Sequence, residues 1–345
     1  MINKLALRSF GNHQEINWDN LGKINLIIGK NGCGKTFLLK AMYCSIKTIE
    51  DYKRGDDNRT IAEILSERLY WTFQTEKIGD IVNKNSLKPL YCEILSDDKE
   101  FSYEFGKDTS KKVQIITNMT EKRTSNSIFL PSKEVLSIYQ IILKSREQDK
   151  LFGFDDTYID LVRALSNQPR QGKNYAQFAK SRENLSKILN GKIEFDGESN
   201  RWFFKRGNQK FNIGVTAEGI KKIAILDTLL SNRYLDTNSI IFIDEPESAL
   251  HPTAISQLLD IITVLSESGI QFFLASHSYF VIKKLAIIAK QKDMSIPVIS
   301  IENESVDMCT EPRVQYDDLH IGMPENSIIE ESIRLYKEEI KGALE

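Results

Sequence analysis

A glycine-rich turn that follows a short apolar run carries the clearest chemical signal in the chain. The apolar run is Ile24–Ile28, and the segment GKNGCGKT comes directly after it. The segment fits the pattern G-x-x-x-x-G-K-T, whose glycines let successive backbone N–H groups point into one cavity suited to phosphate oxygens. Lys35 is placed for the β- and γ-phosphates of a nucleotide, and Thr36 is placed for Mg²⁺. We expect the nucleotide to be contacted by Gly29, Asn31, Gly32, Cys33, Gly34, Lys35, Thr36 and Phe37.

Two adjacent carboxylates end a second apolar run, at residues 239–245. A buried strand of this kind would deliver Asp244 and Glu245 to the carboxyl edge of a parallel sheet, where ligands bind. Asp244 is predicted to hold Mg²⁺ through a water molecule, and Glu245 to act as the general base for the attacking water. A glutamate directly after the magnesium aspartate is typical of ABC-type or AAA+-type ATPases. The two motifs together predict an ATPase with ATP and Mg²⁺ as its cofactors.

The elements that must position these residues alternate regularly in the closing half of the chain. Apolar runs predict strands at 239–243, 270–275 and 296–301, with amphipathic helices at 253–266 and 278–290 between them. Such βαβα alternation predicts a parallel sheet covered on both faces. Earlier in the chain we expect strands at 2–8, 14–18 and 24–28, and helices at 36–49 and 61–69. Four runs at 88–95, 99–106, 111–117 and 127–130 predict an antiparallel subdomain. Helices at 134–143, 158–165, 175–189 and 216–230, and strands at 192–196, 201–205 and 210–213, complete the expected elements.

The predicted fold class is therefore α/β: a P-loop NTPase with a mixed or parallel sheet core, an antiparallel β subdomain and an inserted helical subdomain. Residues 1–130 form the expected N-terminal ATPase lobe, and residues 131–213 form the helical and basic insert. Residues 214–302 form the expected C-terminal lobe, and residues 303–345 form an acidic tail with a helix.

Charge is distributed unevenly along a chain that is almost neutral overall. The 345 residues have a formal net charge of −2 and a pI of about 6.2, so no global field recruits nucleic acid. Residues 101–210 hold twenty Lys or Arg against thirteen Asp or Glu, whereas residues 301–345 hold four against twelve. The first segment could contact DNA and the second a basic partner, or both could be solvated faces. The four cysteines have neither metal-site nor redox spacing, and no signal peptide or membrane-length apolar run is present, which favours a cytoplasmic protein without a membrane segment.

Three further segments resemble the motifs of ABC-type ATPase heads. The string PESALHP at 246–252 resembles their D-loop region, and ASHS at 275–278 resembles their switch histidine, which implies that His277 contacts the γ-phosphate. The segment TAEG at 216–219 resembles a degenerate signature motif, although LSGGQ is absent and Ala217 stands where a serine would contact phosphate. This resemblance implies contacts from Thr216, Glu218 and Gly219 to the nucleotide of a second subunit. Arg8, in the string RSF, resembles the base-contacting start of RecF/SMC-like heads, and either Gln114 or Gln140 could be the Q-loop residue.

The order of these motifs is similar to that of SMC/RecF-like ABC ATPases, in particular the coiled-coil-free heads of OLD-like and anti-phage defence systems such as Septu and Gabija. The resemblance implies a homodimer that sandwiches ATP and controls a separate effector protein, a nuclease or a toxin. A DNA-binding ATPase of the DNA-repair, SMC or RecF type is the alternative. An intrinsic OLD-type nuclease is disfavoured because no DxD pair follows residue 300. The motor of a membrane transporter is disfavoured by the poor signature.

A last amphipathic helix is expected at Ser327–Ile340. A capping box of Ser327 and Glu330 would begin it, and pairs such as Glu330–Arg334 would support it. Its apolar stripe consists of Ile329, Ile333, Tyr336 and Ile340. The stripe could pack on the protein's own head or dock the effector.

Overall fold

The computed structural model describes residues 1–167, 178–199, 201–303 and 312–344. In these ranges the strands are β1 (Ile2–Phe10), β2 (His13–Trp18), β3 (Ile24–Gly29), β4 (Leu90–Ser96), β5 (Lys99–Phe105), β6 (Ile115–Asn118), β7 (Ile128–Leu130), β8 (Lys192–Asp196), β9 (Arg201–Arg206), β10 (Gln209–Asn212), β11 (Ile240–Asp244), β12 (Gln271–Ser276), β13 (Pro297–Asn303) and β14 (Pro312–Asp318). The α-helices are α1 (Lys35–Asp51), α2 (Ile61–Phe73), α3 (Tyr139–Leu143), α4 (Asp156–Ser166), α5 (Ala179–Leu189), α6 (Glu218–Ser231), α7 (Pro252–Glu267), α8 (Tyr279–Lys292) and α9 (Ser327–Leu344). Part of the predicted helix at 175–189 and Cys309 lie outside the described residues.

A six-stranded sheet in the order β14-β13-β3-β12-β11-β7 positions both phosphate-site motifs. Its neighbouring strands pair in parallel, except for the antiparallel pair β13 and β14. In β3, Ile24, Leu26 and Ile28 face one hydrophobic core, whereas Ile27 faces the other. Burial on both faces explains why these strands appear in the sequence as continuous apolar runs.

A five-stranded antiparallel sheet in the order β2-β1-β4-β5-β6 forms a second layer. Helix α1 packs between this sheet and the central one, since its apolar side chains share a core with residues of both, among them Leu5 of β1 and Ile27 of β3. The helix that begins at the glycine-rich turn is therefore held from both sides.

The insert before α6 combines helices with a three-stranded antiparallel sheet, β10-β9-β8. Trp202 and Phe204 of β9 are buried in the larger core, which joins this sheet to α6 and α7. Within the described residues, no helix is both long enough and apolar enough to cross a membrane.

The structure corrects three expectations about secondary structure. Strand β7 was expected in the antiparallel subdomain, but it pairs in parallel with β11, where Ile128 lies opposite Ile241. The helix expected from residue 134 begins only at Tyr139, because the Glu134 carboxylate accepts a hydrogen bond from the Ser137 backbone N–H and stabilises a turn there. Strand β14, which was expected to belong to the acidic tail, forms an edge of the central sheet.

The last helix begins at Ser327 as predicted, but its capping differs from the prediction. Asn326, not Ser327, provides the cap, because its Oδ1 accepts hydrogen bonds from the backbone N–H groups of Ile328 and Ile329, at 2.9 and 3.1 Å. Arg334 pairs with Glu331 and Glu338 and not, as expected, with Glu330. The predicted capping box of Ser327 and Glu330 is therefore wrong.

Candidate functional site

The glycine-rich turn between β3 and α1 has the conformation that the motif requires. Gly34 has a φ of +96°, and a Cβ at this position would lie 2.4 Å from Asn12 Oδ1 and 2.6 Å from His13 Nε2. Gly29 is equally constrained, since a Cβ there would lie 2.0 Å from the carbonyl oxygen of Ile301. Only glycine fits these two positions without a shift of the neighbouring atoms.

Lys35 is buried at the base of the turn. Its Nζ donates hydrogen bonds to the carbonyl oxygens of Gly29 and Lys30, both at 2.8 Å. The ammonium group is thus fixed inside the loop, where a phosphate group would meet a preformed positive charge.

The two predicted magnesium residues are brought together although 208 positions separate them in the sequence. Thr36 Oγ1 donates to both carboxylate oxygens of Asp244, at 3.0 and 2.9 Å. Burial raises the pKa of Asp244, and the hydrogen bond from Thr36 opposes that rise. A hydroxyl and a carboxylate at one point are oxygen donors of the type Mg²⁺ prefers, so the residues present fit this ion.

Glu245 lies directly beyond the end of β11, in a left-handed conformation with φ 49°. Its backbone N–H donates to the Ala275 carbonyl oxygen at 2.9 Å, and its own carbonyl oxygen accepts from Lys222 Nζ at 2.9 Å. With the main chain held at both groups, the Glu245 carboxylate is directed to the cleft that also contains Lys35 and Thr36.

His277 is next to this carboxylate and is 43% exposed. Its Nδ1 lies 3.5 Å from Glu245 Oε1 and 3.7 Å from Glu247 Oε1. Glu247 supports the turn, because its Oε1 accepts hydrogen bonds from Ser276 Oγ at 2.8 Å and from the His277 backbone N–H at 3.2 Å. The structure therefore places the residue predicted to sense the γ-phosphate, His277, beside the residue predicted to activate the attacking water, Glu245.

A cleft of about 460 Å³ joins the glycine-rich turn to Glu245, whereas His277 lines a second cleft. The lining of the first cleft is Asn31, Gly32, Gly34, Lys35, Thr36, Phe37, Lys40, Thr72, Phe73 and Glu245. This volume lies in the range usual for small-ligand sites.

The signature-like segment is not part of this lining. Helix α6 begins at Glu218, so Thr216 and Ala217 precede it, and Gly219 packs against the D-loop region. A Cβ on Gly219 would lie 2.4 Å from Leu250 Cδ2, which explains the need for glycine at this point.

Arg8 and the two candidate Q-loop residues also lie outside the lining of the cleft. The Arg8 guanidinium donates to Glu104 Oε2 at 2.9 Å and lies over the Tyr91 ring. Gln114 and Gln140 are exposed. The structure therefore does not bring these three residues to the nucleotide cleft.

The cations of the basic insert are partly neutralised by neighbouring acids. Lys192 and Lys205 both lie within 4 Å of Glu194 Oε1, at 2.7 and 3.8 Å. Because Trp202 and Phe204 are buried, they are not available to stack on single-stranded DNA. DNA binding by this segment stays a prediction.

Sequence reasoning did not identify several residues that shape the site, namely His13, Lys40, Thr72 and Phe73. Lys40 follows Thr36 by one helical turn, and its Nζ lies 2.6 Å from Asp155 Oδ2 at the start of α4. The spacing of four residues could have indicated Lys40. His13 and Phe73 come from distant segments and carry no local signal.

His13 holds the end of the phosphate loop. Its Nε2 lies 3.2 Å from the Gly34 carbonyl oxygen, and the ring is 1% exposed. Burial lowers the pKa of His13 to about 4 from its ordinary value of 6.5. Because the carbonyl oxygen accepts, the neutral ring must carry its proton on Nε2.

Protein stability should therefore depend on pH through His13. Above pH 6.5 the ring is neutral in both the folded and the unfolded state, whereas between pH 6.5 and pH 4 only the unfolded state takes up the proton. The free energy of unfolding should fall by about 3 kcal/mol over this window because of His13 alone. A His13→Gln variant, whose amide can still donate to Gly34, should lack this part of the pH dependence in urea unfolding.

The exposed His251, which caps α7, offers a matched control. A His251→Asn variant should keep the wild-type dependence of unfolding on pH. Identical pH profiles for wild type and His13→Gln would refute the assignment of a buried neutral His13.

The chain is similar in sequence to known ATPases and in fold to a solved SMC head. The family described as "AAA domain, putative AbiEii toxin, Type IV TA system" matches residues 131–283. An ATP/GTP phosphatase from Helicobacter pylori is 22% identical over 339 residues, covering 86% of this chain and 90% of that protein. The DNA double-strand break repair Rad50 ATPase of Nanoarchaeum equitans is 22% identical over 166 residues, covering 45% of this chain and 21% of that protein. A solved SMC head bound to the C-terminal winged-helix domain of ScpA superimposes with a TM-score of 0.56 at 14% identity, covering 93% of this chain and 98% of that one.

The fold and these similarities define a P-loop ATPase with the α/β architecture of an SMC head. The predicted fold class and the predicted ATPase activity are thereby confirmed. More specifically, these similarities support an ABC-type ATPase head like those of the SMC/RecF/OLD group.

Proposed function

We propose that this ATPase is a switch: two copies sandwich two ATP molecules and control a separate effector, a nuclease or a toxin, in bacterial anti-phage defence. One observation carries the proposal. Helix α6 touches the hydrolytic machinery at two points, through Gly219 against Leu250 and through Lys222 Nζ on the Glu245 carbonyl oxygen. A second copy that engages the start of α6 would therefore be coupled directly to the residue proposed to activate water.

Within one copy, each polar group has a proposed role in hydrolysis. The loop N–H groups and Lys35 bind the phosphates, while Thr36 and Asp244 would hold Mg²⁺, which supplies charge neutralisation at the β- and γ-phosphates. Glu245 orients the water and accepts its proton as the oxygen attacks the γ-phosphorus and the bond to the bridging oxygen breaks, releasing ADP and phosphate. His277 donates to the γ-phosphate and loses that contact with the product.

The second copy is proposed because the described residues of one cleft include no group from the signature-like segment. Val215, just before this segment, is 79% exposed, and Thr216 is half-buried outside the cleft. The N-terminus of α6 can thus meet a phosphate bound by another copy, where its dipole is favourable.

The effector is proposed to dock on helix α9. The first turn of the helix is anchored, since the Ser327 N–H donates to Glu302 Oε1 at 2.6 Å and Ile328 packs on the core. The first two turns of α9 line a second cleft together with His277 and with Lys30 of the glycine-rich turn. A protein bound further along α9 would lie near the side of the site that senses the γ-phosphate.

Two further observations support a defence role and a cytoplasmic location for this switch. The matching family is described as a putative toxin of a type IV toxin–antitoxin system, which accords with a defence role. Cys33, Cys44 and Cys92 are buried free thiols, as expected for a protein of the reducing cytoplasm.

The dimer is tested by measuring molar mass with light scattering in Mg²⁺ and three ligands: none, ADP, or a non-hydrolysable ATP analogue. The mass should double only with the ATP analogue, because only it carries a γ-phosphate for the start of α6. Gly219→Val should bind the analogue and stay a monomer, since the added side chain displaces Leu250. A mass that is the same with all three ligands would contradict the sandwich.

A further inference from the structure

The phosphate-binding cleft continues into an aromatic wall that the hydrolytic mechanism does not use. Phe37 follows Thr36 on α1, and successive side chains on a helix diverge by about 100°. While Thr36 contacts Asp244, Phe37 points to Gly11 and to Phe73 at the end of α2. A Cβ on Gly11 would lie 2.5 Å from Phe37 Cε1, so the turn between β1 and β2 backs the ring closely.

The wall has the dimensions of an aromatic stacking surface. The Phe37 and Phe73 ring centroids are 4.5 Å apart, and both rings contact the buried Phe10, at 5.3 and 5.6 Å. Both are only half-buried, and both line the same cleft as Lys35 and Thr36. An apolar, aromatic surface beside a charged phosphate loop suits the uncharged, planar part of a nucleotide.

A buried hydroxyl next to this wall lacks an oxygen or nitrogen partner. Thr72 is 2% exposed and lines the cleft, and among the described residues its Oγ1 interacts only with the thiol of Cys44, a weak partner. Gln74 Nε2 and Thr75 Oγ1, just beyond it at the end of α2, are likewise buried and unpartnered within the described part of the chain. Leaving such groups unsatisfied is costly, and a ligand is one of the few explanations.

We propose that the Phe37–Phe73 wall and Thr72 form the base subsite of the nucleotide cleft, and that it accepts purines of both kinds. A hydroxyl can donate or accept, so Thr72 can pair with the 6-amino group of adenine or with the 6-oxo group of guanine. A single-ring pyrimidine covers less of the wall and stacks less strongly. The inference rests on the proposed nucleotide site, but it does not depend on dimerisation or on an effector.

The test compares equilibrium binding of ATP, GTP, CTP and inorganic tripolyphosphate in the presence of Mg²⁺. Wild type should bind ATP and GTP within about threefold of each other and CTP about tenfold more weakly. Phe73→Ala should weaken ATP and GTP about tenfold, in line with the strength of base–aromatic stacking, and leave tripolyphosphate unchanged. Thr72→Val, which keeps the side-chain shape, should weaken both purine nucleotides several-fold and again spare tripolyphosphate.

Phe211→Ala is the matched control, because this ring is 39% exposed on β10, outside the cleft. It should leave all four affinities at wild-type values. Phe73→Leu replaces Phe73→Ala if the latter melts early, since leucine keeps apolar volume without an aromatic face. The proposal is overturned if neither Phe73 variant nor Thr72→Val weakens ATP, or if tripolyphosphate weakens in parallel. If wild type does not bind tripolyphosphate at all, the glycine-rich turn is not a phosphate site, and the proposed function is refuted as well.

Discussion

Glu245→Gln is expected to lower the turnover number for ATP hydrolysis at least about 100-fold while ATP affinity stays within about threefold. The amide cannot accept the proton of the attacking water, but it has the same shape as the carboxylate. The contacts that fix this residue, with Ala275 and Lys222, involve only its main chain and should persist. Single-turnover hydrolysis and equilibrium binding of ATP measure the two quantities separately. The variant should also accumulate as an ATP-bound dimer.

Glu247 provides a matched control because its carboxylate also lies near His277 Nδ1, at 3.7 Å. Its Oε1 accepts hydrogen bonds from Ser276 and from the His277 main chain, and a glutamine oxygen can accept the same bonds. Glu247→Gln should therefore reduce turnover less than tenfold. Wild-type turnover in Glu245→Gln, or equal losses in both variants, would show that Glu245 is not the general base.

The second large effect is expected at helix α9, whose apolar stripe is exposed beyond Ile329. Ile333 is 48% exposed, Tyr336 63% and Ile340 43%. The double variant Ile333→Asp, Tyr336→Asp should abolish co-purification with the product of the adjacent open reading frame, because docking would bury charge without a partner. ATPase activity and melting temperature should not change, since these side chains do not belong to either hydrophobic core.

The control changes the charged side of the same helix. Lys337→Ala with Glu339→Ala should leave co-purification intact, as both residues are exposed and flank the stripe.

Deletion of residues 325–345 should destabilise the head, because Ile328 and Ile329 pack on the core. Normal co-purification of the double aspartate variant would exclude the stripe as the docking site. If that variant melts many degrees lower, the stripe belongs to the fold.

The local chemistry of this protein could be predicted from sequence because short-range patterns dictate it. The glycines at 29 and 34 are needed by the backbone of the turn itself, and the apolar runs at 24–28 and 239–243 are needed by strands buried on both faces. Such constraints act within about ten residues. They were sufficient to predict the meeting of Thr36 with Asp244, since the carboxyl ends of parallel strands share one edge.

The features of the site and fold that the sequence did not predict depend on contacts between distant segments. Nothing near His13 or Phe73 in sequence indicates that one holds Gly34 and the other faces Phe37; the order of the strands and the packing of α2 on α1 bring them there. The three-residue strand β7 lies beside β11 in the central sheet, where Ile128 is buried in one core and Phe129 in the other. The stripe on α9 shows the same limit, since its pattern predicts an apolar face but not what covers it. A periodic pattern specifies which side of an element is apolar, whereas the partner of that side depends on surfaces that the whole chain builds.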